Sequence, residues 1–302
     1  MSTVGRWRAY RWFHNTVSIQ AKRLASSHLI YQFLMINTHI PSFVESFTEE
    51  QETQFLENLF VTFGSVFDEE ANIEMRFAYE RILDQGPFLD TRRGFLSHER
   101  GRVVTVSGFC EEKDLMKQLC NPYLLKIARM ALGTEDIIYS DGYMFWQRLL
   151  ERGDPGGWDG WHTDFILNER PTHPTHVNLW TYLDDITSME GPTQLVQGGI
   201  KRIRENFDAG HEAMEGVDPM KKDPDHALYM EAPAGGGFCF SGACPHRATI
   251  NQSGKPRRVV TSEFDVRTDK PHGRFYEVTT KEQQQQVAEW LPEEHKGLIL
   301  DT

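Results

Sequence analysis

Cysteine is scarce in this chain. Its 302 residues include only four, Cys110, Cys120, Cys239 and Cys244, and no two stand in Cys-x-x-Cys spacing. That argues against a zinc ribbon and makes a reduced, cytoplasmic protein the simplest reading. Long apolar runs are missing too: none approaches the length needed to cross a bilayer, which points to a soluble protein with no membrane partner. Positive charge is in deficit, with 32 Lys and Arg against 44 Asp and Glu for a net charge of −12. A phosphate-backbone partner such as nucleic acid is therefore not expected. No glycine-rich cradle for a nucleotide or CoA phosphate is recognisable. Acidic residues are absent from Met1 to Val44, where Arg6, Arg8, Arg11, Lys22 and Arg23 are basic. An acid-free leader bearing Arg and Ser is either a surface or disordered arm, or a transit peptide that would place the protein in an organelle such as the mitochondrion.

What remains is globular. Hydrophobic residues make up 39% and aromatics 12%, enough to bury a sizeable core. No repeat or linker divides the chain after the arm, so residues 1–44 are separated from a single domain over 45–302. Within it, helical support is expected over 45–135, a strand-rich core over 137–268 and a last helix over 280–292. Ser46-Phe47-Thr48-Glu49 reads as a helix start before an apolar-periodic run through Phe55, Leu56, Leu59 and Phe60. A second helix is expected from Glu69 to Leu83. A third has Asn121 as N-cap, Pro122 at its first position and Gly133 as its stop.

From Ile137 the period switches toward two. Strands are expected at Ile137–Leu149, Trp161–Ile166, His176–Leu183, Thr193–Gln197, Ala227–Glu231, Gly237–Phe240, Arg247–Ile250 and Arg257–Val266. About eight short strands between Gly- and Pro-rich turns predict a mainly β fold with flanking helices, a double-sheet jelly roll of the cupin-like, double-stranded β-helix kind. The charged insert Lys201–Asp225 is expected to form a helix or flap near the site.

The chemistry-bearing stretch is Trp161-His162-Thr163-Asp164-Phe165. On a strand, residues two apart share a face, so His162 and Asp164 point together. Pro245-His246 supplies a second imidazole downstream. Two His and one carboxylate form the facial set that binds non-haem Fe(II) while leaving positions open for a co-substrate and O₂. A basic residue shortly after the distal His would hold an acidic co-substrate, and alternation alone leaves Arg257 and Arg258 both open. His-x-Asp by itself carries little weight among 12 His and 44 acidic residues; the ordered conjunction carries the argument.

Several blocks, in order, resemble the phytanoyl-CoA hydroxylase-like (PhyH) family of Fe(II)/2-oxoglutarate dioxygenases. Trp161-His162-Thr163-Asp164 is similar to its W-H-x-D signature, and Asn178 to Asp185 to its following strand. Glu190-Gly191-Pro192-Thr193-Gln194-Leu195-Val196 resembles its N-G-P/A-T-x-x-V turn. His246 through Asn251 to Arg257 resembles its distal H-x(4)-N-x(5)-R block. The likeness runs from about Tyr143 to Asp265. It departs at Glu190, where the family has Asn, and at Gln197-Gly198-Gly199-Ile200, where the family often reads P-G-S-H. Neither position would ligate iron.

The resemblance implies Fe(II) on His162, Asp164 and His246, with 2-oxoglutarate as co-substrate, O₂ as oxidant and ascorbate as a supporting reductant. It selects Arg257, eleven residues after the distal His, as anchor of the C5 carboxylate, with Thr193, Gln147 and Trp180 beside the co-substrate. Met144, Trp146, Trp161, Phe165 and Glu263 are candidates for the substrate pocket. An Asp at the carboxylate position, where halogenating relatives carry a small residue, implies hydroxylation, desaturation or another oxidation of a small organic molecule, with release of succinate and CO₂. Two other classes stay open: a cupin-like metalloenzyme that uses no 2-oxoglutarate, and a non-catalytic jelly-roll binding module. The residues leave substrate identity and oligomeric state open.

Overall fold

A computed structural model describes residues 49–84, 102–106, 112–147, 160–164, 173–198, 201, 205, 227–268 and 273–300, with residues 50, 83–84, 102–106, 117–119, 143–147 and 274 as backbone alone. They belong to one compact unit, Phe43–Thr302. The basic arm and nearly all of the Lys201–Asp225 insert lie outside the described residues.

In chain order the elements are α1 (Glu49–Asn58), β1 (Phe60–Phe63), α2 (Glu69–Asp84), β2 (Arg102–Val106), α3 (Lys113–Leu119), α4 (Pro122–Leu132), β3 (Ile137–Asp141) and β4 (Tyr143–Gln147). Then come β5 (His176–Tyr182), β6 (Gln194–Val196), β7 (Ala227–Tyr229), β8 (Gly237–Phe240), β9 (His246–Arg247), β10 (Arg257–Val266), α5 (Arg274–Val278), α6 (Lys281–Trp290) and a 3₁₀ turn, Glu293–Leu298.

α4 shows how local chemistry sets a boundary. The Asn121 side chain accepts the Tyr123 N–H at 2.8 Å, Pro122 gives up no needed donor, and Gly133 closes the helix at φ 68°. Its apolar stripe, Leu124, Leu125, Ile127, Ala128, Ala131 and Leu132, is buried. α6 starts in a reciprocal capping box between Thr280 and Gln283, which satisfies two donors that a helix end would otherwise leave open.

Two antiparallel sheets form the jelly roll. The larger runs β1-β8-β5-β10-β4-β2, with β3 also pairing β10; the smaller runs β7-β6-β9. The register β8–β5–β10 aligns Phe240, Asn178 and Glu263 in one row and Phe238, Trp180 and Thr261 in the next. Cross-strand partners share a face, so these rows, with Tyr182 opposite Val259 and then Arg257, line the surface that looks into the roll. The opposite face carries Leu179, Val260, Ser262 and Phe264, all buried, and continues to Arg258. That arginine bonds Glu80 on α2 at 2.9 Å and Asp184 at 3.0 Å.

Four expectations need correction, the first being the strand at Ile137–Leu149, which is divided at Gly142 into β3 and β4. The first helix does not run through Phe60: it ends at Asn58, Leu59 turns at φ 58°, and Phe60–Phe63 becomes an edge strand on β8. Aromatic and β-branched residues pack better on a half-buried pleat than on a helix end. Among the described residues of the expected strand Trp161–Ile166, only the single bridge His162↔His246 forms. The strand expected at Arg247–Ile250 shrinks to His246–Arg247. β2, α3 and α5 had no counterpart in the sequence reading.

Candidate metal and co-substrate site

His162 and His246 exchange both backbone hydrogen bonds, His162 N–H to His246 O at 3.0 Å and His246 N–H to His162 O at 2.9 Å. A directly bonded antiparallel pair presents its side chains on one side, and the two imidazole centroids lie 4.3 Å apart. One step along the extended segment, Asp164 N–H donates to Gly242 O at 2.8 Å, which fixes the carboxylate on the same side. Ligand atoms from His162, Asp164 and His246 all lie within 4.8 Å of one another.

Both rings are oriented from behind. His162 Nδ1 meets Gly160 O at 2.9 Å and His246 Nδ1 meets Cys244 O at 2.9 Å. A backbone carbonyl can only accept, so each Nδ1 carries the proton and each Nε2 lone pair is turned to the shared centre. Burial holds the His246 imidazole below its ordinary pKa, against the pull of the Asp164 charge and with the help of His162. It is thus neutral and ready to ligate at neutral pH. The donor set fits a divalent first-row metal with an open side.

A second polar group sits at the start of β10. Arg257 is 4% exposed, and its Nη1 donates to the carbonyl of Gly191. That carbonyl belongs to a tight turn with Gly191 at φ 74°. A Cβ there would stand 2.7 Å from the Asn251 backbone N, so only glycine lets the two loops touch. Glu190, the residue that departs from the family pattern, braces the turn by accepting from Thr187 N–H at 3.0 Å and Thr187 Oγ1 at 2.6 Å. Thr193 follows, 2% exposed. Between them and the aromatic row lies Tyr182. A buried permanent cation beside buried hydroxyls is chemistry that suits a small dicarboxylate.

The remaining sequence candidates fall as follows. Trp180 is buried on the inner face and packs on Phe238 and Phe240 at ring distances of 5.5 and 5.9 Å. Gln147 takes the register position opposite Arg257, while Trp146 and Met144 pair with Arg258 and Val260. Trp161 lies under the Arg247 guanidinium at 4.7 Å, and Arg247 in turn bonds Gln194 at 2.8 Å. Phe165 lies outside the described residues. Glu263 is 14% exposed, with His176 Nε2 at 3.7 Å. The structure thus brings His162, Asp164 and His246 together, and separately sets Arg257 on the Gly191 turn that leads into Thr193, while Trp180 packs against Phe238 and Phe240 further along the inner face.

A model for the family described as phytanoyl-CoA dioxygenase (PhyH) matches residues 60–259. This chain belongs to the PhyH family. No curated protein matches it. Among solved structures, this PhyH chain is similar to SnoK, a non-haem α-ketoglutarate-dependent carbocyclase from nogalamycin biosynthesis, at TM-score 0.55 and 17% identity over 74% of this chain and 86% of that one. It is similar to HygX from Streptomyces hygroscopicus, solved with nickel and 2-oxoglutarate, at TM-score 0.53 and 15% identity over 75% and 90%. EctD from S. alaskensis, with bound Fe, gives TM-score 0.54 and 14% identity over 75% and 80%. These likenesses carry the jelly-roll fold. With the family, they make this PhyH protein a dioxygenase-type enzyme of the non-haem iron, 2-oxoglutarate class.

Sequence reasoning missed four residues around this PhyH site. Tyr182 shares the inward face of Trp180, and alternation along β5 would have found it. His176 Nδ1 meets Asp265 at 2.6 Å, and Asp141 pairs with Glu263 in register; their meeting depends on β3, β5 and β10 lying side by side. Burial pushes the Glu263 carboxyl up to about 8, with His176 opposing and Asp141, Asp265 and Asp164 adding to it.

The folded protein therefore keeps this proton to higher pH than the unfolded chain, whose glutamates ionise near about 4.3. The sign follows: stability from this site is present at low pH and is lost as pH rises toward about 8. Glu263→Gln, which cannot ionise, should raise the melting temperature of the metal-free protein at about pH 8.5 and leave it nearly unchanged at about pH 4.5. Equal shifts at both pH values would show that charge is not the cause.

Proposed function

We propose that this chain oxidises a small organic molecule, by hydroxylation or desaturation, in a reaction that consumes 2-oxoglutarate and O₂ and releases succinate and CO₂. The observation that carries this reading is the pair of imidazoles tethered at Nδ1, whose Nε2 atoms converge with Asp164. His162, Asp164 and His246 would hold Fe(II). Iron, when bound, supplies the oxidising power in reaction with O₂ and the 2-oxo acid. The protein's share is placement. Arg257 would anchor the distal carboxylate of 2-oxoglutarate, Thr193 would donate a hydroxyl to it, and Trp180 and Gln147 would wall the same end.

Glu263 sits three alternate positions further along β10, in the row of Phe240, whose ring meets His246 at 5.0 Å. That row supports a substrate-side role for Glu263, with Trp161 and Phe165 as further candidates, whereas Met144 and Trp146 pair in register with Val260 and Arg258 on the other face of the sheet. With its carboxyl held protonated at neutral pH, Glu263 would offer a hydrogen bond to a neutral polar substrate group. Among the described residues no helix is long and apolar enough to cross a membrane. We place the enzyme in the cytoplasm, with an organelle as the alternative should the basic arm act as a transit peptide.

The deciding experiment is a metabolite-library screen for substrate-driven succinate in the presence of Fe(II), ascorbate and 2-oxoglutarate. Products should show a mass change of about +16 or −2, one oxygen gained or two hydrogens lost. Full iron loading without 2-oxoglutarate binding would instead favour a metalloenzyme with another co-substrate. Failure to load iron would favour a binding module.

A further inference from the structure

The Tyr182 hydroxyl is wholly buried and, among the described residues, finds no well-formed hydrogen-bond acceptor; Thr193 is near enough only to donate toward its oxygen. A buried polar group left in this state is destabilising, so its persistence calls for an explanation. Its surroundings point to one. Tyr182 closes the inner face of β5: it is opposite Val259 in register, and its ring packs on Phe238 at 6.0 Å. Its phenol feels the Arg257 charge and lies beside Thr193, both of which pull its pKa down, while burial pushes it up more, to about 12. The hydroxyl is thus a neutral O–H across the working range, able to donate. Three groups of suitable chemistry then surround one buried spot: a guanidinium steered by Gly191, a threonine hydroxyl and a phenol. Among the described residues the phenol has no well-formed acceptor.

Resting on the co-substrate reading above, we propose that Tyr182 donates its phenolic hydrogen to the distal carboxylate of 2-oxoglutarate and so selects 2-oxo acids that carry a second carboxylate. Arg257 supplies charge and Thr193 a second hydroxyl, leaving Tyr182 to complete the oxygen's hydrogen bonding. It is a positioning residue: it fixes the far end of the co-substrate and touches neither the metal ligands nor the 2-oxo group.

The test compares wild type with Tyr182→Phe, which removes one oxygen and nothing else. Anaerobic titrations of the Fe(II)-loaded protein would follow, by the visible absorbance of the metal–2-oxo acid complex, the binding of 2-oxoglutarate and of pyruvate, a 2-oxo acid without the distal carboxylate. Hydrogen bonds to charged groups set the scale: Y182F should weaken 2-oxoglutarate binding about 10-fold or more. Pyruvate binding and Fe(II) affinity should stay unchanged. Melting of metal-free Y182F checks folding separately and should be at or above the parent temperature, since an unsatisfied hydroxyl is being removed.

Unchanged 2-oxoglutarate affinity in Y182F, or equal losses for both acids, would overturn the proposal. A wild-type protein that loads Fe(II) but binds neither acid would instead sink the co-substrate reading beneath it. Should Y182F fail to fold, the near-ultraviolet tyrosine difference spectrum of the metal-loaded wild type decides. A change with 2-oxoglutarate and none with pyruvate is expected, and identical spectra would refute the role.

Discussion

Asp164→Ala should abolish turnover and lower Fe(II) affinity by roughly 100-fold or more, without harming the fold. The carboxylate is the only anionic donor in the set and balances the metal's charge. Its Oδ2 stands 3.6 Å from His246 Nε2, and its side chain is 40% exposed. Removing it creates no cavity, so the melting temperature of the metal-free protein should stay within a few degrees of wild type. His246→Ala should lose iron to a similar degree but melt lower, because this ring is buried and packs on Phe240 at 5.0 Å. Equilibrium dialysis of Fe(II), or of Mn(II) as an air-stable substitute, separates the two effects. An Asp164→Ala enzyme that still turned over with 2-oxoglutarate would dismiss the assigned ligand set.

The second large effect concerns two adjacent arginines. Arg257→Ala should weaken 2-oxoglutarate by roughly 100- to 1,000-fold, because a buried carboxylate would lose its permanent countercharge. Arg258→Ala should leave 2-oxoglutarate affinity near wild type and instead lower stability by about 1–3 kcal/mol. Arg258 faces the other side of the sheet, where Glu80 and Asp184 bind it at 2.9 and 3.0 Å; after its loss, among the described residues, Asp184 keeps Arg76 at 3.7 Å. The check is a pair of measurements on each variant, a 2-oxoglutarate titration and a denaturant midpoint. If Arg258→Ala lost the co-substrate and Arg257→Ala kept it, the two faces of β10 would be assigned the wrong way round.

That pair also shows where sequence reasoning stops. Alternation says that Arg257 and Arg258 face opposite ways, because the strand period is two. It does not say which way is inward, since both faces of β10 are buried: Val259, Val260, Thr261 and Phe264 are each 0% exposed. Polarity contrast, the usual guide to the core face, makes the face of Arg258, Val260, Ser262 and Phe264 the more apolar one, and on a strand covered on both sides that contrast does not locate the site. Spacing from the distal His made the choice, and the contact of Arg257 with Gly191 supplies its geometry.

Locally encoded features were readable for local reasons. Asn121, Pro122 and Gly133 bound α4 through hydrogen bonds and dihedral preferences that span only a few residues. His162 and Asp164 share a side through an extended backbone, although among the described residues of the expected strand only a bridge forms. Phe60–Phe63 was misread because an apolar run at a helix end is ambiguous until the edge of β8 is there to pair with it.

By itself, then, the sequence determined the donor types, their order along the chain and the jelly-roll class, all of which follow from residue chemistry and short-range periodicity. Tertiary structure decided the rest. It paired His162 with His246 through reciprocal backbone bonds and turned each Nε2 inward by tying Nδ1 to a carbonyl. It also left the Tyr182 hydroxyl buried beside Arg257 and Thr193, and gathered Glu263, Asp141, His176 and Asp265 at the other end of the same face. Such juxtapositions join residues tens of positions apart, and only strand order and register, set by the packing of the whole sheet, can specify them.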